Sequence, residues 1–426
     1  MDVKPGYKMT EVGVIPEDWD VLSLGILFSF KNGLNKGKEF FGHGKLIVNY
    51  MDVYGHSGLR CADIEGRVDV SRDELDAFNV RRGDVFFTRT SETVDEVGIP
   101  SVLLDDSDET VFSGFILRAR PKNDALVDQF KRYCFLSRVV RNQIISKSTY
   151  TTRALTNGRV LSGIKLPTPK IKAEQSAIAT ALSDTDALIE SLEKLIAKKR
   201  QIKQGAMQEL LTGKRRLPGF TGEWEVRRLG DVATLCRENV IPASSPLEMF
   251  IHYSLPAYDL GKVPVVEPGS EIGSNKFRVP RDAILVSKLN PRIPRVWAPD
   301  SVPVNAISST EFLVLQPNKN VSRPFLYVVC SSSKFCEQME LSVTGTTGSH
   351  QRVNPGDALN IELPVPSSMQ EQSAIATILS DMDAELSVFD AKLTKARAIK
   401  QGMMRELLTG RIRLVEPKDK VREAPC

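Results

Sequence analysis

Apolar side chains return every three or four residues along two stretches of the chain. Elsewhere they fall in short runs broken by Gly, Pro and Asn. After Asp184 the stripe is Leu188, Leu192, Leu195, Ile202, Ala206 and Leu210, with Lys199 interrupting it. After Asp381 it is Leu386, Phe389, Leu393, Ala396, Ile399, Met403 and Leu407. Such steps mark one face of a heptad-like amphipathic helix. Asp184 and Asp381 stand where N-caps are expected, and Gly213 and Gly410 where a glycine closes a helix. Each long helix then covers about 27 residues, or roughly 40 Å at 1.5 Å per residue. Upstream, 172–182 and 369–379 each read as a short amphipathic helix. Leu-Pro-Thr-Pro (166–169) and Leu-Pro-Val-Pro (363–366) introduce them, and the prolines oppose helix before that point.

The two stripes are copies of one another. Residues 174–180, Glu-Gln-Ser-Ala-Ile-Ala-Thr, return unchanged at 371–377, a shift of 197, and 29 of the 52 positions in 166–217 match 363–414 without a gap. A repeat of this length means a tandem duplication, which presents two similar surfaces to something itself two-fold. Two equal stripes far apart in sequence are better satisfied by pairing with each other, antiparallel, than by separate cores. The duplication extends to Glu17-Asp18-Trp19-Asp20-Val21 with Leu24-Gly25, which matches Gly222-Glu223-Trp224-Glu225-Val226 with Leu229-Gly230. The segment after the first long helix leads into the same motif that begins the chain, so the arrangement is circular and brings the two terminal segments together. The expected order is a domain over 1–165, a helical repeat over 166–217, a second domain over 218–362, a second helical repeat over 363–414 and a polar tail over 415–426.

Between these repeats, 26–165 and 231–362 diverge but keep common landmarks. Val85-Phe86-Phe87-Thr88-Arg89 and Ile284-Leu285-Val286-Ser287-Lys288 are strand-like runs ending in a hydroxyl and a cation. Phe115-Ile116-Leu117 and Phe312-Leu313-Val314 come next, then a predicted helix at 125–145 and 323–340, then Thr-rich loops at 148–153 and 344–352. Short β-branched and aromatic runs between turn residues predict mixed α/β domains with a β-rich half.

Composition adds limits. The chain has 426 residues, 41% hydrophobic and 26% charged, with a net charge of +4, which permits nucleic acid without demanding it. Six scattered cysteines form no CxxC pair and suit a reducing cytoplasm. With no signal peptide and no apolar run near the ~20 residues of a bilayer span, the chain reads as cytoplasmic.

A repeated frame around divergent blocks is what a scaffold with two different readers requires, and the polar content of the blocks suits DNA. The candidate contacts are Thr88, Arg89, Ser91, Lys147, Thr149, Thr152 and Arg153 in the first block. In the second they are Ser287, Lys288, Asn290, Arg292, Ser349, His350, Gln351 and Arg352. Their clustering at matching places carries the expectation. Catalytic motifs are missing. Phe40-Phe41-Gly42-His43-Gly44 fits an F-x-G-x-G pattern but lacks an accompanying Asn-Pro-Pro-aromatic motif, so it reads as a turn. There is no phosphate-binding loop, no nuclease triad and no histidine set for a metal, so neither a catalytic residue nor a metal site is expected.

The L-P-x-P…E-Q…I-A…L-S…D repeat, the long helix ending in Leu-Leu-Thr-Gly, and the W…L-G motif resemble the specificity (S) subunit of type I restriction–modification systems. The resemblance runs from Trp19 to Leu414. It implies two target recognition domains, each reading half of a bipartite double-stranded DNA site, joined by two helices in an antiparallel coiled coil. It also implies two methyltransferase (M) subunits and motor-nuclease (R) subunits as partners. S-adenosylmethionine, ATP and Mg are then expected on those partners and no cofactor on this chain. Three alternatives remain at this level: the recognition subunit of a combined methylase–nuclease of type IIB kind, a tandem-repeat protein scaffold, and a self-sufficient methyltransferase.

Overall fold

The computed structural model describes residues 3–107, 109–150, 152–344 and 351–415. The chain forms two compact units, residues 1–193 with 392–426, and residues 194–391. Among the described residues no helix is long and apolar enough to cross a membrane.

In the first unit the strand Trp19–Ser23 pairs antiparallel with Lys165–Pro169, so the Leu-Pro-Thr-Pro run is itself a strand. A two-stranded ribbon accepts proline because its outer edges need no ladder donor. The main sheet is ordered Phe28–Asn32, Ile116–Pro121, Val85–Thr88, Pro100–Leu103 and Gly58–Leu59. Its central strand is covered on both faces. Val85 and Phe87 pack with Phe130, Tyr133 and Phe135, while Phe86 packs with Phe112 and Ile116. That double burial explains why the run is continuously apolar rather than alternating. The predicted helix over 125–145 is two helices, Asp128–Cys134 and Arg138–Lys147, because the Ser137 hydroxyl accepts from Val140 N and caps a new start.

The second unit repeats this plan. Trp224–Arg228 pairs with Glu362–Pro366, and a sheet is ordered Ala233–Cys236, Phe312–Pro317, Ile284–Ser287 and Val296–Trp297. A five-stranded sheet with the order Asn239–Val240, Lys276–Arg278, Ala306–Ser309, Met249–Tyr253 and Val265–Pro268 completes it. Here too the predicted helix over 323–340 divides, into Arg323–Cys330 and Ser333–Leu341, at the cap Ser332.

The helical repeats depart from expectation. Each is one uninterrupted helix of 39 residues, Lys172–Leu210 and Met369–Leu407, rather than a short helix followed by a long one. Asp184 and Asp381 are solvent-facing interior residues, not N-caps. The run from 172 to 184 holds no Gly or Pro, so nothing in it stops propagation. Gly213 and Gly410 do take the left-handed conformation, at φ 70° and 69°.

Within each unit a segment of one helix runs antiparallel to a segment of the other. In the first unit Lys400 pairs with Asp186 at 2.5 Å and Arg397 with Glu193 at 2.6 Å. In the second Lys203 pairs with Asp383, and Arg200 with Asp390 at 3.2 Å. These are the same pairs under the shift of 197. Leu192, Leu195, Leu210, Leu386, Phe389, Leu393, Met403 and Leu407 lie on the inward stripes. Leu188, Ile202 and Ile399, expected in the seam, are 51%, 48% and 49% exposed. Ile189, Lys203 and Lys400 take the inward positions one residue later. A lysine can hold a seam position when its stem lies along the groove and its ammonium meets a carboxylate at the rim.

The repeated Glu-Gln pair is buried. Glu174 accepts from Trp19 Nε1 at 3.2 Å and from Arg413, whose guanidinium also grips Asp18 at 2.8 and 2.9 Å. Glu371 accepts from Trp224 Nε1 at 3.3 Å and from Arg216 at 2.6 and 2.8 Å. Each carboxylate thus joins the start of one long helix to the segment beyond the end of the other. Burial works against the charge of Arg413, but its bonds to Asp18 and Glu174 raise it above the ordinary arginine range. Asp18 is correspondingly lowered by its bond to Arg413, against some desolvation. Tyr7 Oη donates to Gly410 O at 3.0 Å, so the two terminal segments meet as the circular order implies.

Gln175 accepts from Val127 N and donates to Ala125 O and Pro169 O, at 2.8–2.9 Å. Gln372 makes the matching bonds to Ser322 N, Asn320 O and Pro366 O, at 2.7–3.1 Å. Both glutamines are fully buried, so truncation leaves three backbone groups without partners. Gln372→Ala should cost about 3 kcal/mol in urea unfolding, whereas the exposed neighbour change Ser373→Ala should be near neutral. A loss below about 1 kcal/mol for Gln372→Ala contradicts this role.

Candidate nucleic-acid interface

In each unit the loop leaving the central strand is stitched to the hairpin that precedes the Pro-containing strand. In the first unit Thr149–Tyr150 pairs with Ala154–Leu155, which pairs with Thr90–Ser91. In the second, Val343–Thr344 pairs with Arg352–Val353, and Leu289 bridges to Arg352. Segments distant in sequence thereby form one surface, held by backbone ladders while the side chains vary.

The structure sorts the expected contacts. Arg89, Lys147, Thr149, Thr152 and Arg153 lie on or beside the first hairpin surface, with Lys147 donating to Gly163 O at 3.1 Å. Arg153 stands 4.0 Å from Glu92. In the second unit Lys288, Asn290, Arg292, Gln351 and Arg352 come together. Asn290, at φ 48°, donates its backbone N–H to Gln351 O at 2.9 Å. Ser349 and His350 lie outside the described residues. Thr88, Ser91 and Ser287 are corrections, because all three are buried and their hydroxyls are engaged locally. Thr88 donates to Glu96 O and accepts from Ile99 N, both at 2.9 Å; Ser91 donates to Glu96 Oε2 at 2.9 Å; Ser287 donates to Leu289 O at 3.0 Å. The Thr88 and Ser287 hydroxyls shape the loop, while that of Ser91 is committed to Glu96 at the edge of a cleft.

Backbone bonds also correct the alignment of the two blocks. Arg89 N donates to Phe115 O at 3.2 Å and Thr156 N donates to Arg89 O at 3.0 Å. Lys288 N donates to Glu311 O at 3.0 Å and Val353 N donates to Lys288 O at 2.9 Å. Phe115 therefore corresponds to Glu311, not to Phe312, and Leu155 corresponds to Arg352. In the second unit Arg352 Nε contacts both Glu311 oxygens at 3.1 Å. That bond raises the guanidinium above its ordinary range. In the first unit the same two places hold exposed apolar side chains, Phe115 at 67% and Leu155 at 37%.

Phe115 lines a cleft of about 450 Å³ that is aromatic and apolar on one side, with Tyr50, Met51 and Tyr54, and polar on the other, with Thr90, Ser91, Glu92, Glu96 and Arg153. Tyr50 and Tyr54 stack at 5.9 Å, and Tyr54 Oη donates to Glu96 at 2.8 Å. The bonds from Tyr54 and Ser91 lower Glu96, and Glu96 in turn raises the Tyr54 phenol. Sequence reasoning missed the aromatic side of this cleft because it searched the blocks for polar side chains. The signal was Phe115 itself, an aromatic at the mouth of a strand whose counterpart is charged.

Two like units, each a mixed α/β domain tied to a segment of an antiparallel helix pair, define a tandem recognition scaffold. The sequence profile of the type I restriction modification DNA specificity domain matches residues 16–204 and again 221–394. The chain belongs to this family, with both copies present. It is 24% identical over 441 residues to a protein described as a putative type I restriction enzyme MjaX specificity subunit, from Methanocaldococcus jannaschii, covering 96% of this chain and 97% of that one. In fold it is similar to the type I restriction–modification S subunit of M. genitalium, with TM-score 0.57, 17% identity, and 96% and 98% of the two chains covered. It is similar also to a chain in a structure concerned with complex assembly and conformational transition of the type I R-M system. There the TM-score is 0.54, the identity 15%, and the coverage 93% and 99%.

Thr88→Val keeps the volume but leaves Glu96 O and Ile99 N–H without their hydroxyl partner. It should lower unfolding free energy by about 1–3 kcal/mol and leave base preference unchanged. A changed preference with unchanged stability contradicts the structural role given to Thr88.

Proposed function

We propose that this chain, a type I restriction–modification specificity subunit with two recognition domains, reads a bipartite duplex site with one half-site per unit. The observation that supports this most directly is the hairpin-and-loop surface built twice on one backbone plan, with different side chains each time. Arg89, Lys147, Thr149, Thr152 and Arg153 would serve one half-site. Lys288, Asn290, Arg292, Gln351 and Arg352 would serve the other, together with Ser349 and His350. Cations there neutralise phosphates and fix register, while base edges are read by side chains that differ between the units.

The chain contributes recognition and no chemistry of its own. Two methyltransferase subunits dock with it and motor-nuclease subunits complete the complex, in the cytoplasm. S-adenosylmethionine, ATP and Mg are bound by those partners. Divergent reading surfaces on a repeated frame suit this division, because a target can change without disturbing the parts that partners hold.

Purified alone, the chain should neither methylate nor cleave DNA, and with its methyltransferase partner it should direct adenine methylation to a split motif. Binding should weaken steeply as salt rises, since each neutralised phosphate releases counterions. Arg153→Ala and Arg292→Ala should each reduce the log–log salt slope by about one if they meet phosphates. Methylation by the lone chain, or salt-independent binding, contradicts the proposal.

A further inference from the structure

Phe115 and Leu155 occupy places that the second unit fills with the Glu311–Arg352 ion pair. The equivalence rests on backbone bonds, through Arg89 in one unit and Lys288 in the other, and so does not depend on sequence likeness. Exchanging a bidentate charged pair for two exposed apolar side chains alters what that point of the surface can recognise. Phe115 and Leu155 stand exposed where the second unit holds charge, and this local difference, not the size of an apolar patch, distinguishes the two surfaces. Met51, at 67% exposed, lines the same cleft as Phe115. Two carboxylates share the cleft: Glu96 is engaged by Tyr54 and Ser91, and Glu92 faces Arg153 at 4.0 Å. Arg153, at the rim, suits an adjacent phosphate.

We propose that Phe115 and Leu155 are specificity-determining residues that read the 5-methyl group of a thymine in the half-site served by the first unit. This rests on the DNA-reading function proposed above. Of the groups on base-pair edges in the major groove, only the thymine methyl is apolar, and Phe is among the side chains that contact it. The ion pair at the equivalent place in the second unit cannot serve this purpose. The two half-sites therefore differ in chemistry at corresponding positions.

The test uses the chain in complex with its methyltransferase partner, on duplexes carrying the methylated motif. Each thymine of the first half-site is replaced in turn by uracil, which removes the methyl group and nothing else. At one position uracil should weaken binding by wild type about fourfold, the worth of one buried methyl group. Phe115→Ala should bind the thymine duplex about as weakly as wild type binds the uracil duplex, with no further loss on uracil. Phe115 is exposed, so this change spares the fold, and Leu155→Ala should act in the same direction. The double change F115E/L155R, which installs the second unit's pair, should abolish uracil sensitivity and leave the other half-site unaltered. Specific binding that is insensitive to uracil at every position, or a first half-site without thymine, overturns the inference. Failure of the wild-type complex to bind any duplex overturns instead the reading on which it rests.

Discussion

The fold depends on two buried carboxylates. Glu174 and Glu371 sit at the starts of the long helices, each held by a tryptophan indole and by an arginine just beyond the end of the other helix. An ionised carboxylate with almost no exposure is tolerable only when its partners are fixed in place. Satisfying it therefore forces three segments to converge: the strand that opens a domain, the helix that leaves it, and the end of the opposite helix. The adjacent glutamines finish the junction by tying the helix start to the loop before the two-helix element and to the Pro-containing strand. The Glu-Gln pair within the seven repeated letters is explained by this geometry.

Much of this frame was legible in the chain. The duplication, the circular order, the antiparallel helix pairing and the central buried strands emerge from periodicity and repetition. The start of the long helices did not, because Asp184 and Asp381 imitate caps while the helix-forming residues before them carry the helix through. The seam was misplaced by one residue at Leu188, Ile202 and Ile399, because ion-paired Lys203 and Lys400 hold inward positions that a hydrophobic pattern assigns to apolar residues.

The candidate interface was legible only in part. Its location was set by cations and hydroxyls at matching places, and most of those side chains do border the hairpin surfaces. Thr88 and Ser287 failed because a hydroxyl at the end of a buried strand serves the turn as readily as a ligand, and burial is invisible in a single sequence. Phe115 and Leu155 escaped because their meaning lies in comparison with Glu311 and Arg352, a comparison fixed by backbone hydrogen bonds rather than by residue type. Frame and reader are thus separated in chemistry: buried and repeated in one, exposed and divergent in the other.

The central claim is that each unit reads its own half-site on an interchangeable frame. It is tested most directly by replacing residues 26–165 with a second copy of 231–362, expressing that chain with its methyltransferase partner, and sequencing the methylated adenines. The account predicts a split motif in which the second unit's half-site occurs twice and the first unit's is lost. A stable, assembled complex that still methylates the original first half-site, or a motif altered in both halves, would contradict it.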